Sequence, residues 1–385
     1  MKKTLLSIAT LASLTIATMS QAQDSTTVKK EFVPSGKISG QFIGDYFFKA
    51  HADSALRSNT IQYGGVAKNY DAFAIRRIYL GYDYQMSEHF ATQLLIANES
   101  DNLDANGERT FYIKAANIRW KNFVKNNDLI IGQSSTPVSA TVTEAIWGYR
   151  SIEKTVIDMR ALARTNELGI ALQGKLNDKG DYGYNFMIGN GGKGGQFTEV
   201  DKNKKGYGEL YAKFLDQKIV VDVNGSYEEV SVVNKQYIET GKLAIAYVSK
   251  PFVVGVELVS QNQANAATDT TNGKKNAKLV YVTPFAVSAY VRGQFIENRL
   301  FYFARYDSYN PNTSYTPSHK YSTAGMITNK ERFFTTGLDY TPLTNVHIMP
   351  NIWYDKYTTL KDNVKGSHAK SDYDLVYRIT ACYKF

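Results

Sequence analysis

The chain has 385 residues, with 28 Tyr, 19 Phe and 28 Gly against 8 Pro and one Cys, which favours strands and turns and excludes an internal disulfide or a multi-cysteine metal centre. Its net charge of +9 suits anionic partners in general, since lipopolysaccharide phosphates, small anions and nucleic acid share that requirement. Beyond the first residues no apolar run approaches the roughly 20 residues that a spanning helix needs.

The chain opens on Lys2 and Lys3, continues through a largely apolar or small stretch from Thr4 to Met19, and reaches Ser20-Gln21-Ala22 followed by polar Gln23, Asp24 and Ser25. That order reads as a cleaved export signal over residues 1–22, with a short segment 23–36 after it. From residue 37 to 385 the recurring feature is alternation with a period of two, which sends successive side chains of a strand to opposite faces. In chain order it predicts strands near 37–48, 73–84, 90–98, 110–121, 129–134, 166–176, 182–190, 207–215, 219–228, 237–248, 252–261, 280–291, 299–308, 332–340, 346–354 and 373–385. The last is the clearest. Leu375, Tyr377, Ile379, Ala381, Tyr383 and Phe385 share one face, and Val376, Arg378, Thr380, Cys382 and Lys384 share the other.

About 16 such strands, an even number, predict an all-β fold: a transmembrane antiparallel β-barrel with lipid on one face and water on the other. The connections agree. Links after odd-numbered strands are long, except for a shorter ninth, while links after even-numbered strands are tight turns such as Gln85–His89 and Thr341–Asn345. A barrel whose chain starts on the inner side of an outer membrane needs this rhythm of outer loops and inner turns. Tyr46, Phe48, Tyr82, Tyr84, Trp120, Tyr247, Tyr340, Tyr354 and Phe385 fall near strand ends, where aromatic girdles belong.

Three stretches carry a resemblance: Ala72-Phe73-Ala74-Ile75-Arg76-Arg77-Ile78-Tyr79-Leu80-Gly81, Ile130-Ile131-Gly132-Gln133 running into Thr136-Pro137, and Phe303-Ala304-Arg305-Tyr306-Asp307. With the terminal Tyr383-Lys384-Phe385, they make the chain resemble the phosphate-selective porin O and P family of Bacteroidetes-type bacteria. The resemblance implies a 16-stranded, usually trimeric barrel that passes small solutes by diffusion. It also implies that an assembly machinery reads the aromatic last residue. Anion-selective members carry a dense ladder of lysines and arginines along the pore, a pattern from which this chain departs.

The resemblance further implies that the third outer loop folds inward as a constriction. Here that loop is the longest link, Ser135–Thr165, with Arg150, Lys154, Arg160 and Arg164 against Glu144, Glu153 and Asp158. Such charges either act on passing ions in a narrow passage or pair with each other and the wall to pin the loop. Alternation puts Arg77, Lys175, Lys213, Lys242, Arg305, Arg378 and Lys384 on the water face, nearly balanced by Asp83, Glu167, Glu209, Asp222, Glu228, Glu257, Asp307 and Asp339. Arg305 and Asp307 are spaced for a rim pair or a cross-strand network. The register around Lys114 is ambiguous.

Gly189-Asn190-Gly191-Gly192-Lys193-Gly194 fits a dinucleotide-binding spacing but reads as an outer loop, because no helix follows. The stretch from Asn102 to Gly107 has oxygen ligands at calcium-loop spacing, yet Ile113 stands where that loop needs Glu, and a turn at Asn106-Gly107 is the plainer reading. The histidines are scattered, with no metal pair and no nucleophile elbow. The expectation is therefore a porin without cofactor, metal or catalytic centre. Its expected partners are outer-membrane lipid and lipopolysaccharide, small hydrophilic solutes or anions, the barrel-assembly machinery and copies of itself, and not nucleic acid. The other classes compatible with the sequence are a barrel protease or lipase and a plugged, non-conducting adhesin.

Overall fold

The computed structural model describes residues 32–55, 57, 62–99, 103–137, 142–191, 202–321, 329–359 and 371–385. The export signal and its cut after Ala22 lie outside them. The wall begins with β1 (Ser35–His51), β2 (Asp71–Gln85), β3 (Phe90–Glu99), β4 (Tyr112–Val124) and β5 (Asn127–Ser135). Two short helices follow, α1 (Thr143–Trp147) and α2 (Val156–Met159), and then β6 (Asn166–Lys175), β7 (Tyr182–Gly189), β8 (Lys205–Phe214) and β9 (Ile219–Ser231). The rest is β10 (Gln236–Val248), β11 (Phe252–Asp269), β12 (Lys278–Val282), β13 (Phe285–Ile296), β14 (Leu300–Asn310), β15 (Asn329–Leu343), β16 (Val346–Thr359) and β17 (Ser371–Lys384).

Neighbouring strands pair antiparallel, and β17 returns to β1 from Gln41↔Lys384 to His51↔Leu375. Gly40 and Phe385 exchange backbone hydrogen bonds at 3.0 Å beside that seam. The sheet has 17 strand segments but closes as a barrel of 16, because β12 and β13 occupy one wall position. β13 pairs with the lower half of β11 and β12 with its upper part, and Thr283-Pro284 separates the two. Proline has no N–H for the ladder. Its carbonyl instead accepts the Gln261 N–H at 2.9 Å.

The outward face is apolar: Phe73, Ile131, Ile170, Ile188, Leu210, Val223, Ile245 and Ile379 are among its exposed side chains. Ring pairs mark both edges of that band. Phe90–Trp120, Tyr182–Phe214, Tyr247–Phe252 and Tyr383–Phe385 stand at the short-turn end, and Tyr46–Phe73, Tyr227–Tyr237 and Tyr354–Tyr373 at the long-loop end. Rings that are apolar in body and polar at the tip settle at the two membrane interfaces. The expected rhythm of links holds with two adjustments. The ninth link shrinks to residues 232–235, and the eleventh to 270–277 because β11 runs on to Asp269.

Among the register shifts of the described strands, two β-bulges re-aim charged side chains. Opposite β1, Ile43 pairs with Arg77 and Gly44 with Ile75, so Arg76 is the extra residue and both arginines are buried. Opposite β3, Leu95 pairs with Ala115 and Ile96 with Ile113, so Lys114 is extra and reaches inward to Glu99. A bulge re-aims a side chain in this way. Gln133 satisfies the disturbed backbone by donating Nε2 to the carbonyls of Ile113 and Lys114 at 2.6 and 3.0 Å.

The inner face is less wet than alternation implies, because the chain's own loops cover much of it. Trp147, Tyr149 and Ile152 pack on Ile43, Val253, Tyr290, Phe303, Met349 and Cys382 from the wall. Val156, Ile157, Leu162 and Ala163 join a second cluster with Ile130, Ala171, Met187, Tyr207, Val259 and Ala286. Tyr63, from the link between β1 and β2, enters a third with Phe47, Phe333, Trp353 and Val376.

Candidate functional site

The link between β5 and β6 is the third long one, and it lies inside the barrel. Its two helices are too short to hold themselves, so anchoring falls to the wall. A helix or turn buried this way must find donors for its free carbonyls. Wall arginines supply them. Arg378 Nη2 and Arg76 Nη1 both donate to the Ile152 carbonyl, at 2.7 and 3.3 Å. Arg76 also donates to Ser151 O, Arg77 to Arg150 O at 2.5 Å, Arg305 to Lys154 O and Arg292 to Ile146 O at 2.8 Å. Gln261 adds a bond to Leu162 O at 2.7 Å, and Lys242 one to the Thr143 hydroxyl at 2.8 Å.

The loop's side chains answer the wall in turn. Glu153 accepts the Trp353 indole N–H at 3.1 Å, Tyr149 donates to Asp339 at 3.2 Å, and Arg160 is held between Glu331 and Asp355. Arg305 and Asp307 do pair, at 2.5 Å, but fully buried beneath the loop and not at a rim. Of the residues singled out from the sequence, Arg77, Arg160, Arg305, Asp307, Arg378 and Glu153 thus sit in the anchor and are buried. Arg164, half-buried at the loop's end, accepts the Thr136 hydroxyl at its backbone carbonyl.

Four others form a different group. Arg150 bridges Glu144 and Asp158 at 2.5 and 2.7 Å and reaches Glu99 at 3.5 Å, while Lys154 stands 3.8 Å from Asp158. Glu99, on β3, also takes Lys114 at 2.9 Å and the hydroxyls of Tyr79 and Tyr112. The charged side chains of this cluster keep between 11% and 25% of their surface exposed, unlike the anchor. They carry matched charges, Lys114, Arg150 and Lys154 against Glu99, Glu144 and Asp158, and stay partly open to solvent. Sequence reasoning missed Glu99, Arg76 and Arg292; for Arg76 alternation points the wrong way, because the bulge is set by the neighbouring strand.

On the short-turn side of the loop lie two cavities. One, of about 720 Å³, has Val142, Ala145 and Ile146 of the loop on one side and Arg119, Asp128, Lys175, Asn185, Glu209 and Lys213 on the wall. The other, of about 390 Å³, is lined by Lys37, Asp83, Gln93, Arg119 and Lys121 among others. Arg119 borders both.

The two remaining motifs are described in part. Gly189 closes β7 in register with Gly169 and Lys205, and Gly192–Gly194 lie outside the described residues. Asp104 accepts the N–H groups of Asn106 and Glu108 at 2.8 and 2.9 Å, a turn closure in which its carboxylate serves the backbone; Asn102 lies outside the described residues. Among the described residues no group of three His, Cys, Asp or Glu side chains could hold a metal ion.

No family model and no curated protein matches the chain. Solved structures do. The outer membrane channel DcaP of Acinetobacter baumannii shares 11% identity over 91% of this chain and 97% of its own, with a TM-score of 0.64. An anion-selective porin from Comamonas acidovorans shares 9% over 92% and 100%, at 0.59. The in-vitro folded outer membrane protein OmpT of Vibrio cholerae, in trimer form, shares 12% over 92% and 100%, at 0.55. This chain is a bacterial outer-membrane β-barrel. Its apolar band, its closure without an edge and its similarity of fold to these barrels agree on that.

Proposed function

We propose that the barrel is a porin, through which small hydrated solutes diffuse passively past the inward loop, with a weak preference for anions such as phosphate. The observation that carries this reading is the cluster of Glu99, Lys114, Glu144, Arg150, Lys154 and Asp158, which stays partly open to solvent while the anchor is sealed, together with the charged cavities on the short-turn side of the loop. Its charges balance, which favours weak selectivity. The cavities tip the balance: Lys37, Arg119, Lys121, Lys175 and Lys213 outnumber Asp83, Asp128 and Glu209 along their linings. Export by cleavage after Ala22, assembly through the strand that ends at Phe385 and a homotrimeric state complete the proposal.

Planar-bilayer recording of the refolded mature chain under a salt gradient tests it. A stepwise current with a reversal potential on the anion side supports the reading. Replacing Arg150 and Lys154 by Ala removes two cations from the cluster and shifts that potential toward cations. Folded protein that leaves the bilayer tight sinks the proposal and leaves a plugged structural barrel in its place, as the three apolar clusters inside the lumen would then explain.

A further inference from the structure

The hairpin of β11 and β12 runs past the end of β10 on the long-loop side. Its neighbour β10 pairs with β11 only as far as Ile238↔Gln263, while the hairpin continues to the pair Asp269↔Lys278 and turns over residues 270–277. The link between β14 and β15 leans against the tip: the Thr270 N–H and hydroxyl both donate to Lys320 O, at 2.7 and 3.0 Å, and the Lys320 N–H donates to the Thr271 hydroxyl at 2.9 Å. Lys274, Lys275, Lys278 and Lys320 therefore gather at one place, all exposed. Asp269, the acid beside them, is taken up by His319 at 2.8 Å and by the Thr271 hydroxyl at 2.5 Å.

Below the lysines the same hairpin is apolar on its outer face. Leu279 and Tyr281 are exposed, and on β10 Tyr237 stacks on Tyr227 at 5.9 Å in the outer aromatic girdle at this end of the wall. Strand rise sets Lys278 roughly 10 Å above Tyr281, with its stem leaving the other face of the strand at the hairpin's end, and the turn lysines Lys274 and Lys275 stand beyond it. Phosphorylated headgroups lie within about that distance of the hydrocarbon edge, and lysine stems can lie along apolar surface while their ammonium groups seek phosphate.

We infer that this hairpin tip is a docking surface for the phosphorylated headgroups of outer-leaflet glycolipid, with Leu279 and Tyr281 against the acyl region. Such docking depends on the barrel's position in the membrane and not on its conducting solutes. Multivalence explains why lysines from two separate links are gathered: each ammonium near an anionic lipid surface strengthens association about fivefold.

The test uses the full refolded barrel in detergent, with retention of bisphosphorylated lipid A read by native mass spectrometry. Lys274→Gln, Lys275→Gln, Lys278→Gln and Lys320→Gln combined should lower retention at least ~tenfold, and lipid A stripped of phosphate should be retained as poorly by the unaltered chain. The four lysines replaced by arginine should retain it. Equal retention by the glutamine variant overturns the inference. So does displacement of the lipid by millimolar inorganic phosphate, which would make the tip a site for soluble anions. Unchanged single-channel conductance of the variant in phosphatidylcholine bilayers separates the outcome from the fate of the porin reading.

Discussion

Arg378→Met should unfasten the inward loop while leaving the wall intact. The guanidinium is 3% exposed and donates to Asn351 Oδ1, to the Tyr63 hydroxyl at 3.2 Å and to Ile152 O at 2.7 Å, besides lying 5.7 Å over the Tyr63 ring. Two of those bonds run to loops, and a hydrogen bond to a charged group contributes about 1.5–3 kcal/mol. Methionine keeps the bulk but none of the donors. Arg76 still holds Ile152 O, at the longer distance of 3.3 Å, so the anchor loses about 3 kcal/mol and not the whole of both bonds. Every 1.4 kcal/mol is tenfold, so the population with the loop lifted should rise about a hundredfold. In single-channel records the variant should show excursions to a larger conductance, and Arg378→Lys should suppress most of them. A variant that folds to the same heat-modifiable species, with unaltered conductance and noise, would refute the idea that wall arginines hold the loop.

Trp147→Ala removes a ring that packs on Tyr290, Tyr149 and Phe303 and whose Nε1 donates to Glu153 O at 2.9 Å; we expect about 3–5 kcal/mol lost and a lower thermal midpoint in detergent, and an unchanged midpoint would contradict the packing. Lys114→Met deprives Glu99 of the ammonium 2.9 Å away and should move the reversal potential toward cations, whereas a fixed potential would place Glu99 off the ion path. In the link between β3 and β4, the N–H groups of Glu108 and Asn106 hold the Asp104 carboxyl below the usual aspartate range. A lowered acid stabilises its turn above the ordinary pKa, and that support is lost as pH falls through the lowered one. As pH falls through that range, amide exchange at Asn106 and Glu108 should slow less than the loss of base catalysis alone predicts, and Asp104→Asn should remove the effect.

How far the sequence could be read depended on what faced each residue. Where lipid touches the wall, the rule is strict: Phe73, Ile170 and Ile379 must be apolar, so most strand positions were legible to within a few residues, while the strand read as 252–261 runs on to Asp269 and the one read as 280–291 divides into β12 and β13. The inner face follows no such rule. A buried arginine that donates to a loop carbonyl and a cation left facing the open lumen occupy the same parity, so Arg305 and Arg378 could not be told from Lys175 and Lys213 without knowing where the loop lay. Arg76 and Lys114 were obscured for a different reason: a bulge shifts parity by one residue at a point fixed by the opposite strand. Tyr63 gives no local sign that its link turns inward, because its partners Asp45, Lys49 and Arg378 come from β1 and β17.

The seam between β1 and β17 joins residues almost a full chain length apart, Gln41 to Lys384. Entropy charges heavily for such a contact, and nothing shorter in range can substitute for it, since each end strand exposes unpaired backbone until the other arrives. Insertion should therefore be slow and concerted, with an open, curled ribbon as the long-lived species. That ribbon is adhesive along both margins, which makes escort to the membrane as much a part of this design as the finished cylinder.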